Sequence, residues 1–484
     1  MDQKLLDYAS ELVMELIDGI DLGDFEQEII PDKYRWEHLL GLFILRDTLD
    51  GGEELYKQLY DRAIKSAINY IKQKKERGEQ IQVAFQTYSA AQWPAEQVYR
   101  KLEVVPELDV RVVVSPLVDR DEESSVNSYK QTLEWFKSGN YNISEGLNLS
   151  SYEISGWSNL GGYPDVLYQL SSWFLELPKV QQFTQLPLRT LIAYIPYSMY
   201  LANNSDGSYA LRGVYNKESV NMMWRVYCDS NYNLERYKQY GLLQGKNVRY
   251  SGYAKMDYFY QAHPFNHYEL EELWSIPKGV DVAKIKKVII APHFTVTNSD
   301  ALCYSTFQKN MWFWKYLIQK FENEVSFIFK PHPNLRWRSV QAGLFKSYKE
   351  YDDYIDWWNN RPNGKVVQDS SYLEYFATSD AMIMDSVSFL GEYLYVNKPL
   401  LFLTRPEQVM MDIGKRVLDS YYKTPGDDYW GIEQFIRKVV LTEEDTMVSQ
   451  REKIFSEEYD YYSMNGQTAA DYICNDLMDT LGIT

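Results

Sequence analysis

The sequence predicts an α/β protein: two domains, each built on a mostly parallel sheet, with a helical module ahead of them. Three observations carry this prediction. From Ile81 onward, short apolar runs alternate with segments of helical period, the rhythm of β-α-β units. That rhythm pauses at a polar, proline-containing stretch, 271–281, and restarts at Lys287. Residues 1–78 lack it and read as helical throughout. A chain of 484 residues is too long for one core, since single cores stop growing near ~250–300 residues.

The elements follow in order. Leu5, Ala9, Leu12, Leu16 and Ile20 recur at helical spacing, as do Leu55, Leu59, Ala63, Ala67 and Ile71, with Gly51-Gly52 breaking the pattern between them. Lys74-Lys-Glu-Arg-Gly78 closes this module, which reads as a structural cap. Strands are expected at 81–85, 109–114, 166–168, 190–195, 224–228 and 248–251, with helices at 95–102 and 124–137. After the linker, strands are expected at 287–290, 325–330, 366–368, 381–384 and 399–403. Helices are expected at 307–321, 371–378, 388–395, 429–440 and 469–481. The domains are therefore drawn at 1–78, 79–270 and 271–484. Two Rossmann-like domains facing a cleft, joined by a linker, form a GT-B-like architecture.

Composition narrows the function. The net charge of −18 argues against a nucleic-acid partner, which calls for a basic face. An anionic small substrate remains compatible, because Lys330, Arg336, Arg338, Lys398 and Arg405 lie near the strongest motifs. Cys228, Cys303 and Cys474 are far apart, which fits a reduced cytoplasm rather than a disulfide framework. The start of the chain lacks a signal-peptide layout, and the apolar run 39–45 is too short to span a bilayer. A soluble, cytoplasmic protein is expected, with docking on a membrane left open. The 42 tyrosines and 13 tryptophans suit a carbohydrate site, but core packing accounts for most of them.

Two strand-ending motifs concentrate the chemistry. Phe327-Ile-Phe-Lys330-Pro-His332-Pro ends one strand, and Met382-Ile-Met-Asp385-Ser386-Val-Ser388-Phe-Leu-Gly-Glu392 ends another and opens a helix. Ligands of parallel sheets sit beyond the carboxyl ends of strands, and anions sit on helix N-termini. Ser386 and Ser388 can cap the helix or hold a pyrophosphate. Glu392, one turn after Ser388, can accept from ribose hydroxyls. The prolines around His332 fix its backbone, and Lys330 adds positive charge. Ala291-Pro-His293 repeats the device upstream, followed by a polar loop, 297–300, making His293 a candidate base or phosphate ligand. The plain alternatives are a well-capped helix and two turn histidines. On the first domain, Tyr197 and the loop 86–93 with Trp93 are candidates for the acceptor side. Asp257 reads as a helix cap, and His38, His263 and His267 as incidental. No metal signature, Walker loop or dinucleotide fingerprint occurs, and no cofactor is expected.

The trio Ala-Pro-His293, Lys-Pro-His332-Pro and Asp385-Ser-x-Ser388-x-x-x-Glu392, followed by Asn397-Lys-Pro, resembles the CDP-glycerol glycerophosphotransferase family of teichoic-acid and capsule enzymes. The similarity spans roughly 190–405. It implies a CDP-glycerol or CDP-ribitol donor bound by the C-terminal domain, an acceptor domain before it, and release of CMP. It also implies a glycan or polyol-phosphate acceptor that can be lipid-linked, reached at the inner face of the cell membrane. His332 would contact the donor phosphates, helped by Lys330, Asp385 and Arg336. Ser386, Ser388 and Glu392 would hold the pyrophosphate or the ribose. Where the family commonly carries Trp-His-Gly, this chain reads Tyr194-Ile195-Pro196-Tyr197. His293 is then the candidate base. Two further readings stay open: a GT-B glycosyltransferase using a nucleotide sugar, and a non-catalytic scaffold.

Overall fold

The computed structural model describes residues 3–298, 302–368 and 372–483. These fall into two compact units. The first runs from the N-terminal helices through Ser198, then Leu211–Asp257, then from Tyr461 on. The second holds Met199–Ala210 and Tyr258–Asp460. The expected boundaries at 78 and 270 divide the chain differently. In the contact units, helices Gln3–Asp21, Trp36–Leu45 and Gly52–Glu76 belong with the first sheet, and so does the distant helix Ala469–Leu481.

In the first unit the described residues form seven strands: β1 (Ile81–Thr87), β2 (Leu108–Val114), β3 (Ile143–Glu145), β4 (Val166–Gln169), β5 (Leu191–Tyr194), β6 (Arg225–Cys228) and β7 (Val248–Tyr250). All pair in parallel, in the order β3-β2-β1-β4-β5-β6-β7. One face of the sheet, with Val83, Phe85, Val112, Val114, Val166 and Tyr168, packs against helices Glu96–Leu102, Glu122–Ser138 and Ala469–Leu481. β4 and β5 are buried along their whole length, which is why they read as continuous apolar runs. Gly51 takes φ 67° at the start of helix Gly52–Glu76, the left-handed value that suits glycine.

The second unit holds β8 (Lys286–Ala291), β9 (Val325–Phe329), β10 (Gly364–Val366), β11 (Ala381–Met384), β12 (Leu400–Thr404) and β13 (Tyr422–Pro425). They too are all parallel, in the order β10-β9-β8-β11-β12-β13. Val288, Ile290, Phe327, Phe329 and Ile383 pack against helices Phe307–Lys320 and Tyr348–Asn359. The expected helix at 371–378 runs Leu373–Thr378, and its first residue lies outside the described residues.

Each sheet has one place where the direction of strand succession reverses: between β1 and β4 in the first, between β8 and β11 in the second. Loops leaving the carboxyl ends there diverge to opposite faces and open a crevice for ligand. The candidate site is built at the second of these points.

Candidate functional site

At the β8/β11 switch point the backbone brings three strand-end loops together. The β8–β9 ladder continues past both strands: Lys330 N–H donates to Ile290 O (2.8 Å), and His332 N–H donates to Pro292 O (3.2 Å). This extension sets the His293 and His332 rings beside each other, with centroids 5.4 Å apart. Phe294 packs against both, at 4.6 Å and 4.4 Å.

Asp385 locks this arrangement from β11. It is buried, and its Oδ1 accepts His293 N–H at 2.6 Å. Its Oδ2 accepts both the backbone N–H and the hydroxyl of Thr306, the latter at 2.9 Å. Burial pushes its carboxyl up to about 6, against the lowering pull of these hydrogen bonds. Both oxygens are spent on hydrogen bonds within the protein, so Asp385 braces the loops.

The two imidazoles differ in exposure. His293 is buried, and burial, with His332 nearby, holds its pKa well below the ordinary histidine value. Its Nδ1 lies 2.7 Å from Thr295 Oγ1, which also accepts Tyr304 N–H at 3.0 Å. His332 is half-buried and is pushed down to about 3, by burial first and by Lys330 second. Asn334 N–H donates to its Nδ1 at 3.1 Å, so the neutral ring carries its proton on Nε2. Both imidazoles are therefore neutral at neutral pH, each with one ring N–H and one lone pair.

Glu392 is buried at the end of the helix Ser388–Glu392, and Tyr372 donates its phenol to Oε2 at 2.5 Å. Lys330 Nζ stands 5.3 Å from the centre of the same Tyr372 ring. One tyrosine therefore links the lysine of one motif to the glutamate of the other. Ser386, just after Asp385, is buried, and Ser388, the first residue of that helix, is half-buried.

Two candidates fall elsewhere. Arg336 is exposed, forks onto Asp352 at 2.8 Å and 2.7 Å, and stacks over Tyr348. Its charge is committed to the neighbouring helix. Trp93 is 5% exposed, wedged among Phe85, Tyr99, Phe136 and Tyr141, with its indole donating to Glu96 at 2.8 Å. It has no open face for an acceptor; its aromatic bulk fills the core. Tyr197 is half-buried just beyond β5, and its carbonyl accepts the Tyr253 hydroxyl. Of the polar loop 297–300, residues 299 and 300 lie outside the described residues.

The remaining expectations resolve into local structure. Asp257 is a cap, but of a distant helix: it accepts the N–H groups of Ala469 and Ala470 at 3.1 Å and 2.8 Å. His38 sits between the Arg35 backbone and Glu15, and His263 stacks on Tyr258 at 3.8 Å. Thr306 and Tyr372, which complete the bracing, carried no mark in the sequence, because each acts through a partner 79 or 20 residues away.

Two all-parallel sheets, each with helices packed on it, define an α/β fold of the GT-B-like class. The family model described as CDP-glycerol:poly(glycerophosphate) glycerophosphotransferase matches residues 215–478. The chain belongs to that family, the CDP-glycerol glycerophosphotransferases. Among solved structures, it is similar to a variant of the wall teichoic acid polymerase TagF, at 11% identity over 88% of this chain and 96% of that one, with a TM-score of 0.50. It is also similar to S. aureus MnaA in complex with UDP, at 15% identity over 84% and 97%, with a TM-score of 0.47. No curated protein matches it. Among the described residues, no helix is long and apolar enough to cross a membrane.

Proposed function

We propose that the β8/β11 switch point binds the diphosphate of CDP-glycerol and that the histidine pair performs the transfer. The observation that carries this is the convergence of His293, His332 and Asp385 where the sheet reverses. His332 donates from Nε2 to a phosphate oxygen, and Lys330 adds charge. Ser386 and Ser388 offer hydroxyls, and Glu392, held by Tyr372, accepts from the ribose.

The acceptor hydroxyl attacks the phosphorus of the glycerol-phosphate group. The bond from that phosphorus to the bridging oxygen breaks, and CMP leaves with the electron pair. His293 takes the acceptor proton. This calls for the tautomer whose Nδ1–H donates to Thr295 Oγ1, in place of the long 3.4 Å bond that Nδ1 otherwise accepts from Thr295 N–H, and it leaves a lone pair on Nε2. Positioning and charge stabilisation supply most of the rate. The acceptor is a glycan or polyol-phosphate polymer on a lipid carrier, reached by peripheral docking at the inner membrane face.

A thermal-shift screen of CDP-glycerol, CDP-ribitol, CMP and nucleotide sugars, followed by a CMP-release assay, tests the proposal. Stabilisation by CDP-glycerol and release of CMP are expected. Stabilisation and turnover with nucleotide sugars alone would replace it with glycosyl transfer. Binding of none would leave a scaffold.

A further inference from the structure

The β1/β4 switch point of the first sheet carries its own cluster. Tyr88 follows β1, Ser171 and Trp173 follow β4, and Tyr197 follows β5. The Tyr88 and Ser171 hydroxyls are 3.2 Å apart, and Ser171 Oγ accepts Trp173 N–H at 3.2 Å. The Trp173 indole also hydrogen-bonds the Tyr197 phenol. Over the face of that indole lies Lys217 Nζ, 3.4 Å from the ring centre.

Lys217 is the anomaly. The residue is only 6% exposed, and among the described residues its ammonium has no hydrogen-bond partner. A buried ammonium with three idle donors is costly. The indole face offsets only part of that cost. The carboxylates that attract it, Glu218 and Glu176, make no hydrogen bond to it. Burial pulls its pKa down to about 8, and burial first, then Asp119, pushes Glu176 up to about 7. Neither group is neutralised by the other. A protein that wanted only packing here would do better with methionine.

We infer that Lys217, laid on Trp173 at the β1/β4 switch point, is an anion ligand that takes a phosphodiester of the glycerol-phosphate acceptor chain. A phosphodiester carries one diffuse negative charge and no proton to lose. It can receive the ammonium once the four-carbon stem swings off the indole, while the glycerol unit lies against the Trp173 and Tyr88 rings. The switch point is where a parallel sheet opens to ligand, and here it presents hydroxyls, aromatic faces and one buried ammonium that makes no hydrogen bond among the described residues. The inference rests on the transfer reaction proposed above, because that reading supplies the acceptor.

The test is calorimetric titration of the full chain with three probes: a synthetic glycerol-phosphate trimer, inorganic phosphate and CDP-glycerol. Wild type, Lys217→Met and Lys217→Gln are compared, the second variant covering a failure of the first to fold. Loss of roughly tenfold or more in trimer affinity is expected in either variant. CDP-glycerol affinity should stay within about twofold of wild type, and the melting temperature of Lys217→Met should be equal or higher. Unchanged trimer binding would overturn the proposal, as would an equal loss for CDP-glycerol, which would place Lys217 with the donor. Binding of inorganic phosphate but not the trimer would also overturn it. If CDP-glycerol gives no CMP while trimer binding still depends on Lys217, the transfer reading fails and the anion site stands.

Discussion

The two switch points occupy equivalent places in their sheets and are held together differently. At β8/β11 the loops are fixed by backbone hydrogen bonds: a ladder continued to His332 and a carboxylate spent on His293 and Thr306. At β1/β4 they are fixed by side chains: a phenol on a serine, an indole on a phenol, an ammonium on an indole. The first arrangement sets two rings rigidly and leaves little to adjust. The second can shift rotamers at small cost. A reacting diphosphate needs the former, whereas a flexible polymer tolerates the latter.

Substitutions can break this contrast. The largest effect is expected for His332→Ala: turnover should fall by roughly 10³-fold with the fold intact, as read by CMP release and circular dichroism. Near-normal turnover would remove His332 from the mechanism. Asp385→Ala should come next, destabilising the protein by about 3 kcal/mol in urea unfolding, because buried N–H groups of His293 and Thr306 lose their acceptor. Tyr372→Phe should weaken CDP-glycerol roughly tenfold by freeing Glu392 and the ring beside Lys330. Trp93→Phe should change kcat/KM by less than about twofold, since a core ring replaces a core ring.

Acid sharpens the comparison further. The folded pKa of His332, about 3, lies below the ~6.5 of an unfolded histidine, so the unfolded chain takes the proton first. Its contribution is intact above ~6.5 and is lost as pH falls toward about 3. Asp385 has the opposite sign: its folded value of about 6 exceeds ~3.9, so acidification through that window favours the fold. Wild type should therefore lose more stability than His332→Ala between pH ~6.5 and ~4. CDP-glycerol binding at pH about 5 should take up protons, since a diphosphate favours the imidazolium. Proton uptake is read by calorimetry in buffers of different ionisation enthalpy. Zero uptake would mean that His332 stays neutral when the donor binds.

Much of this was written in the sequence. β8, β9, β11 and β12 are buried along nearly their whole length, so each shows as a mostly apolar run, and His293, His332 and Asp385 are conspicuous because they follow those runs. β3 and β13 were not legible: they are short edge strands, Ile143-Ser-Glu and Tyr422-Lys-Thr-Pro, with exposed positions and little apolar pattern. Lys217 was equally silent. Nothing local distinguishes a lysine that will be folded under from one that stays in water. Trp93 misled because a strand-end loop and a core plug can look alike until the helices around them are placed.

The capping of helix Ala469–Leu481 by Asp257 ties together groups 212 residues apart. Ile473, Leu477 and Leu481 then seal the face of the first sheet. At ribosomal rates of ~5–20 residues per second, that seal arrives roughly 10–40 s after Asp257 is made. The second unit can mature during synthesis while the first waits with an apolar flank uncovered. Chaperone holding, and sensitivity to nonsense mutations far downstream, should therefore fall on the half of the chain that is made first.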